Sequence, residues 1–210
     1  MRDFGKRAIN KAQTKLNIIQ AMLELIAITN FKDMKVRDIV EKVDITEKTF
    51  FNYFQTKDDL LNYYMKTWSL DQQALQLQYP LSGEKAIRRI FDTTAQETLK
   101  HPRVMVNLIG YLASLNQEPP QIDIEPAERF LLHPELTELH TTPIKSGNEL
   151  LMKHLQEINP NTDNTQILIH LASCFYGDAL VAYTSGVELQ PLYQLSLDLI
   201  FKGTKGTPKR

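Results

Sequence analysis

Few side chains in this sequence are spaced for covalent or metal chemistry. Cys174 is the only cysteine, so no internal disulfide can form, and its apolar surroundings indicate a small core residue. The five histidines show no compact spacing with acidic or cysteine partners. No nucleophile with its base, carboxylate pair, phosphate loop or cofactor fingerprint occurs at recognisable spacing. We therefore expect no enzyme activity, no metal and no cofactor.

Side chains suited to recognition are concentrated in a short segment that starts at Thr46. Thr46 can cap a helix of two turns, ending near Tyr53, by accepting a hydrogen bond from the free amides of the first turn. The side chains predicted to face outward are Glu47, Lys48, Phe51 and Asn52, and those predicted to face inward are Thr49, Phe50 and Phe54. This helix therefore presents polar and charged groups to a partner.

The elements around this segment predict a helix-turn-helix. Apolar residues at spacings of three and four predict a short helix from Val36 to about Val43. Asp44 then interrupts the pattern, and Asp tolerates the left-handed backbone of a tight turn. In such a unit the second helix lies in the DNA major groove while the first crosses the backbone. By pattern alone many helical hairpins share this arrangement.

Two further helices flank the hairpin. Two apolar stripes predict a largely buried helix from Thr14 to Thr29, which we expect Asn30 to end in the left-handed conformation. Thr56 and Asp59 form a capping-box-like pair that starts a fourth helix, running to about Leu77. We expect this fourth helix to connect an N-terminal head, residues 1–55, to a body formed by residues 56–210.

Charge is unevenly distributed between these two parts. Residues 1–66 carry 12 Lys and Arg against 9 Asp and Glu, whereas the whole chain has a net charge of −1. A basic front and an acidic remainder fit a DNA-contacting head on a body with another task. A solvated charged tail would give the same distribution.

The segment from Val36 to Leu61 resembles the TetR family signature. The matching stretches are Val36-Arg37-Asp38-Ile39-Val40, Val43-Asp44-Ile45-Thr46 and the run from Thr49 to Leu61, which includes Phe54-Gln55-Thr56-Lys57-Asp58-Asp59. The resemblance covers residues 10 to 65 and, more loosely, the helical body. It implies an all-α fold, with a three-helix head containing the helix-turn-helix, a connector helix and a ligand-binding and dimerisation body.

This sequence departs from the family pattern at three positions. The common glycines after the first helix and in the turn are Asn30 and Asp44 here, and both residue types can adopt positive φ. The usual Thr or Ser before the second helix is Lys35, whose side chain cannot accept an amide proton. The start of that helix must therefore use water or another neighbour.

The resemblance also implies roles for individual residues. Thr46, Lys48 and Asn52 occupy positions of base-edge or phosphate contacts, Phe51 a position that packs on the DNA backbone, and Tyr53 and Lys57 phosphate-contacting positions. Chemistry agrees, because Asn52 can make paired hydrogen bonds to adenine and Lys57 can pair with a phosphate at a helix start. The predicted DNA-binding set is completed by Lys35, Arg37 and Thr49. Phe51 and Tyr53 as core aromatics, and Lys57 as a solvated charge, are the alternatives.

The rest of the chain reads as helices separated by polar or proline-bearing breaks. The predicted spans are 84–100, 102–116, 126–132, 143–158, 163–184 and 190–202, with a loop at 117–125 and a frayed tail at 203–210. The last two helices are apolar on more than one side, which predicts packing against a second subunit as well as the home domain. The predicted dimer-interface residues are Leu168, Ala172, Phe175, Ala179, Leu192, Leu195 and Leu199. Two core helices of a monomer are the alternative.

These features together predict a regulator that senses a ligand. A mixture of aromatic and hydrogen-bonding side chains suits a pocket for a small organic effector, and we expect it to be lined by Trp68, His101, Asn107, Tyr111, Phe175 and Tyr176. The expected partners are a palindromic double-stranded DNA operator, the effector and a second copy of the chain. No apolar run has the length of a membrane span and no signal core follows the basic N-terminus, so we expect a cytoplasmic protein. The alternative is an all-helical ligand-binding or interaction protein whose head has lost DNA affinity.

Overall fold

The computed structural model describes residues 4–116, 119–120 and 122–205, and all regular structure in these residues is helical. The all-α prediction is therefore confirmed. The α-helices are α1 (Lys6–Ile26), α2 (Val36–Val43), α3 (Glu47–Phe51), α4 (Asp59–Gln78), α5 (Gly83–Lys100), α6 (Pro102–Ser114), α7 (Pro126–Leu132), α8 (Gly147–Ile158), α9 (Thr165–Ser185) and α10 (Leu189–Lys205). A 3₁₀ turn, Thr137–His140, follows α7.

The chain divides into two compact units, and the predicted boundary near residue 55 lies inside the first. The first unit contains residues 1–77 and 107–144, and the second contains residues 78–106 and 145–210. The predicted loop at 117–125 and tail at 203–210 lie partly outside the described residues.

The first unit has an apolar core built by α1 to α4. Both predicted stripes of α1 contribute to it, with Ile18, Met22 and Ile26 buried. Phe50 and Phe54 are also buried, as predicted, and Phe54 meets the ring of Tyr63 edge to face at 5.6 Å. Burial of these apolar groups is the main force that holds the short helices α2 and α3, which are too short to be stable alone.

Helix α1 differs from its prediction at both ends. It starts at Lys6 rather than Thr14, because its N-terminal turns pack against α7 and Phe4 contacts Phe130 at 5.5 Å between ring centroids. It ends at Ile26, before the position where Asn30 was expected to end it. Asp44 is the only non-glycine residue with positive φ in the described part of the chain, so the left-handed assignment of Asn30 is wrong. The Asn30 carbonyl instead accepts the amides of Asp33 and Met34, which forms a separate turn.

The second unit is organised around α5, α8, α9 and α10. Three rings form its centre, with Phe91 edge to face on Tyr193 at 4.9 Å and Phe175 stacked on Tyr193 at 5.8 Å. The Tyr193 hydroxyl donates to the Phe175 carbonyl at 2.7 Å, and burial raises the pKa of that phenol. Arg88 on α5 pairs with Asp198 on α10 at 2.7 Å, which fixes these two helices at a second point.

Helix α9 is the one described helix that is long and apolar enough to cross a membrane, judged by length and composition. One such helix is weak evidence for membrane insertion. One side of α9 carries Phe175 and Ala179 into the core of the second unit, whereas Leu180 and Val181 are exposed. Its apolar composition therefore reflects two separate faces.

Candidate nucleic-acid interface

The turn between α2 and α3 is set by the backbone of Asp44. This residue adopts φ 57° and ψ 51°, the left-handed conformation that the sequence predicted. The amides of Asp44 and Ile45 both donate hydrogen bonds to the carbonyl of Val40, and the bond from Ile45 is 3.1 Å long. Because an L residue can hold this conformation only at some cost, Asp is one of the few residue types besides glycine that this turn permits.

Helix α2 starts without a conventional cap at Lys35. Its backbone amide donates to Oδ2 of Asp38 at 2.8 Å, and the amide of Asp38 donates back to the Lys35 carbonyl at 3.1 Å. Asp38 therefore supplies one half of a capping box, while the Lys35 carbonyl accepts the amide that a Thr or Ser side chain would accept, and the negative charge of Asp38 also suits the N-terminus of a helix. The sequence contained this signal, because an acidic residue at the third helical position can reach the cap amide.

Helix α3 is capped by Thr46, as its residue type predicted. Oγ1 of Thr46 accepts from the Thr49 amide at 3.1 Å and lies 2.9 Å from Oγ1 of Thr49. These two predicted DNA-binding hydroxyls are thus hydrogen-bonded to each other. Thr46 is exposed and Thr49 is half-buried.

Opposite faces of α3 have opposite character. Phe50 is fully buried beneath the helix, whereas Phe51, next to it, is 48% exposed. Lys48 and Asn52 are exposed and Tyr53 is half-buried. The helix therefore offers a surface with a cation, an amide and an aromatic ring, anchored from below by one aromatic side chain.

The predicted contacts on α2 lie on the surface of the same head. Lys35 and Arg37 are exposed, and Nε of Arg37 donates to Oε1 of Glu41 at 2.7 Å. Lys42 makes a similar exposed pair with Glu24 of α1. Exposed pairs of this kind contribute little to stability, so these cations can exchange a carboxylate for a phosphate at low cost.

Helix α4 starts at Asp59, two residues later than the predicted cap at Thr56 implies, but the predicted pair of hydrogen bonds is present. The amide of Thr56 donates to Oδ2 of Asp59 at 3.0 Å, and the amide of Asp59 donates to Oγ1 of Thr56 at 3.3 Å, so the capping box is confirmed. Lys57, between them, turns its ammonium inward to three backbone carbonyls of the loop between α1 and α2. Sequence reasoning did not find this contact, because it joins residues more than twenty positions apart.

The residues predicted to line an effector pocket belong to both units. Trp68, Asn107 and Tyr111 lie in the first unit, where Tyr111 is buried and the other two are half-buried. In the second unit, His101 and Tyr176 are half-buried, whereas Phe175 belongs to the central group of rings. Burial raises the pKa of both Tyr111 and Tyr176, so these phenols act as neutral hydrogen-bonding groups near pH 7. Their role in ligand binding stays a prediction.

The predicted dimer-interface residues also differ in exposure. Leu195 and Leu199 are 59% and 66% exposed, whereas Phe175 and Ala179 are buried within the second unit. Leu168, Ala172 and Leu192 are half-buried. Other apolar side chains on the surface of α9 are Ile169, Leu180 and Val181.

No group of three or more His, Cys, Asp and Glu side chains within the described ranges is arranged to hold a metal ion. Cys174 is half-buried on α9, and burial raises the pKa of its thiol. A thiol that is harder to ionise is a weaker nucleophile, which agrees with a packing role for this residue.

Comparison with known proteins supports the arrangement of the head. Residues 18–64 match the family model described as bacterial regulatory proteins, tetR family. A solved structure, the crystal structure of a TetR transcriptional regulator from Rhodococcus sp. RHA1, matches with a TM-score of 0.58 and 12% sequence identity, covering 94% of this chain and 97% of that chain. At this identity the match shows the fold alone. No curated protein matches the chain.

Proposed function

We propose that this chain is a DNA-binding transcriptional regulator of the TetR family, and that it is a homodimeric repressor released from its operator by a small organic ligand. The observation that carries the DNA-binding role is α3 itself. It follows a left-handed turn at Asp44, is anchored by buried Phe50, and exposes Lys48, Phe51 and Asn52 on the side away from the core.

Side chains on the outer face of α3 make the proposed contacts with the DNA bases. The exposed amide of Asn52 has a donor and an acceptor, which match the major-groove edge of adenine. Lys48 can reach a guanine edge or a phosphate, and Phe51 packs on the sugar-phosphate backbone. Thr46 and Thr49 act first as the helix cap, and their hydroxyls contact DNA through the lone pairs left by that cap.

Residues on either side of the helix-turn-helix make the proposed contacts with the DNA backbone. Lys35 and Arg37, at the start of α2, and Tyr53, after α3, make the proposed phosphate contacts on either side of the groove. Phosphate contacts position the protein, and base contacts specify the sequence. The ammonium of Lys57, by contrast, is hydrogen-bonded within the head.

A homodimer is favoured by the apolar surface of the second unit. Ile169 and Val181 on α9 and Leu195 and Leu199 on α10 are each about half exposed or more, which is unfavourable in water. A second copy covering these helices would remove the exposed side chains from solvent and form a four-helix interface. A twofold axis would also place two heads on a palindromic operator. Of the predicted set, Leu195 and Leu199 suit the contact better than Phe175 and Ala179, which pack inside their own unit.

Release by a ligand requires a connection between the head and helices that follow it. In the first unit, Lys15 of α1 pairs with Glu128 of α7, and Tyr63 of α4 donates to the same carboxylate. A movement of α4 or α7 would therefore displace α1, against which α2 packs. The proposed effector is a small organic molecule with both aromatic and polar groups, and the proposed location is the cytoplasm.

The test of the proposal is binding to duplex DNA as a function of salt. A regulator with several phosphate contacts binds with an affinity that falls steeply as salt is raised. Absence of binding to any duplex from a random-sequence library would instead support a ligand-binding or interaction protein that has lost DNA affinity. Native mass spectrometry of the purified chain would show whether an organic molecule is retained and whether the protein is a dimer.

A further inference from the structure

The side chain of Lys57 lies against the loop that joins α1 to α2. Its Nζ is 2.6 Å from the carbonyl oxygen of Phe31, 2.7 Å from that of Met34 and 3.1 Å from that of Lys32. The ammonium also lies 4.8 Å from the centroid of the Phe31 ring. The loop therefore surrounds the charge with three oxygens and an aromatic ring.

The number of partners matches the chemistry of an ammonium group. A protonated lysine has three N–H donors, and each of these has a carbonyl within hydrogen-bond distance. No backbone amide in the described part of the chain donates to the carbonyls of Phe31, Lys32 or Met34. Since the side chains of Phe31 and Met34 are buried, loss of the ammonium would leave carbonyls in a partly buried loop without a donor.

The contact has a definite place in the topology of the head. Residues 31–34 directly precede α2, and Lys57 follows α3, so the three hydrogen bonds connect the two flanks of the helix-turn-helix. The three hydrogen bonds therefore link the residues before α2 directly to the residue after α3, with both helices lying between them in the sequence.

We propose that Lys57 is a positioning residue for DNA recognition, one that holds α2 and α3 in place through the loop carbonyls, and not a phosphate contact. An ammonium with all three donors used on backbone oxygens has none left for a phosphate oxygen. Burial lowers the pKa of Lys57, in agreement with a charge that faces the loop more than the solvent. The inference rests on the proposed DNA-binding function of the head.

The experiment compares Lys57→Met with Lys48→Met in the full chain. Binding to a random-sequence duplex is titrated at several salt concentrations, and amide hydrogen exchange of residues 31–36 is measured without DNA. Removing one lysine–phosphate interaction should reduce the slope of log affinity against log salt by about 0.9. We expect K48M to reduce the slope with normal exchange, and K57M to retain the slope while the loop amides exchange at least about tenfold faster.

A reduction of the slope by about 0.9 in K57M would overturn the proposal, whatever happens to the exchange rates. If K57M does not fold, Lys57→Arg tests the positioning role through the exchange rates, because arginine keeps the charge on which the slope depends. A planar guanidinium keeps the charge but does not suit three oxygens that surround a point, so faster loop exchange with an unchanged slope is expected. Normal exchange in K57R would contradict the positioning role. Failure of the unaltered protein to bind DNA would contradict the proposed function instead, while the exchange measurement would still decide the role of Lys57.

Discussion

Nζ of Lys15 on α1 lies 2.6 Å from Oε1 of Glu128 on α7, and the two side chains are 7% and 0% exposed. The other carboxylate oxygen accepts from the Tyr63 hydroxyl at 2.7 Å and from the Glu125 amide at 3.2 Å. The ammonium also faces the ring of Tyr63, 4.8 Å from its centroid. This buried cluster therefore joins α1, α4 and α7 through charged and hydrogen-bonding groups.

Breaking this pair should be costly. Lys15→Met leaves the Glu128 carboxylate buried without its counter-charge, and we expect it to lower the free energy of unfolding by about 3–5 kcal/mol, measured by urea denaturation. A matched control is Lys11→Met, because Lys11 of α1 and Glu125, just before α7, form an exposed pair, and we expect its loss to cost below about 1 kcal/mol. The double variant K15M/E128M should recover much of the loss. A single K15M variant as stable as K11M would contradict the role of the buried pair.

The turn at Asp44 should be sensitive to side-chain shape. Asp44→Val places a β-branched residue at φ 57°, and we expect it to destabilise the protein by about 1–2 kcal/mol, whereas Asp44→Gly should leave thermal stability unchanged or higher. Thermal unfolding followed by circular dichroism measures both. Equal melting temperatures for D44V and D44G would show that this conformation does not constrain the turn.

Asn52 should determine base preference on the DNA. Asn52→Ala removes a side chain able to make paired hydrogen bonds to adenine, which contributes about 1–3 kcal/mol of discrimination. Selection from a random duplex library should return an altered or relaxed site for this variant, and the same site for the control Gln55→Ala, which is exposed but lies beyond α3. Recovery of the unaltered site by N52A would exclude this role.

The exposed leucines of α10 should control assembly. Leu195→Glu together with Leu199→Glu places charges on the apolar face, so we expect a dimer to become a monomer in sedimentation velocity at micromolar concentration. Ile28→Glu is the control, because Ile28 is 77% exposed but lies in the head, and it should leave assembly unchanged. A monomeric unaltered protein would rule out the homodimer.

Glu157 should contribute to stability in a pH-dependent way. Burial acts to raise its pKa, but hydrogen bonds from His154 and from the Gly83 amide, both at 2.8 Å, lower it below the usual 4.5 overall. A carboxyl group with a lowered folded pKa stabilises the protein above pH 4.5, and this contribution is lost as pH falls through the folded pKa. Glu157→Gln should therefore lower stability at pH 7 by less than about 1 kcal/mol, given its partial exposure, and by less still near about pH 3. A difference that is constant with pH would contradict this assignment.

The amino-acid sequence by itself determined the helical elements and the local devices that start and turn them. Val36–Val43, the left-handed Asp44, the cap at Thr46 and the pair of Thr56 and Asp59 were all predictable, because each depends on residues within four positions of one another. Asn30 was predicted wrongly because the residue type permits positive φ without requiring it.

Only the tertiary structure decided which distant residues meet. Lys15 and Glu128 are separated by more than one hundred positions, and no periodicity in either helix indicates that their charges would be buried together. The inward direction of Lys57 likewise depends on how the loop before α2 folds against the start of α4. Helix periodicity reports which face of an element is apolar, whereas the partner of a polar group on that face is set by packing between elements.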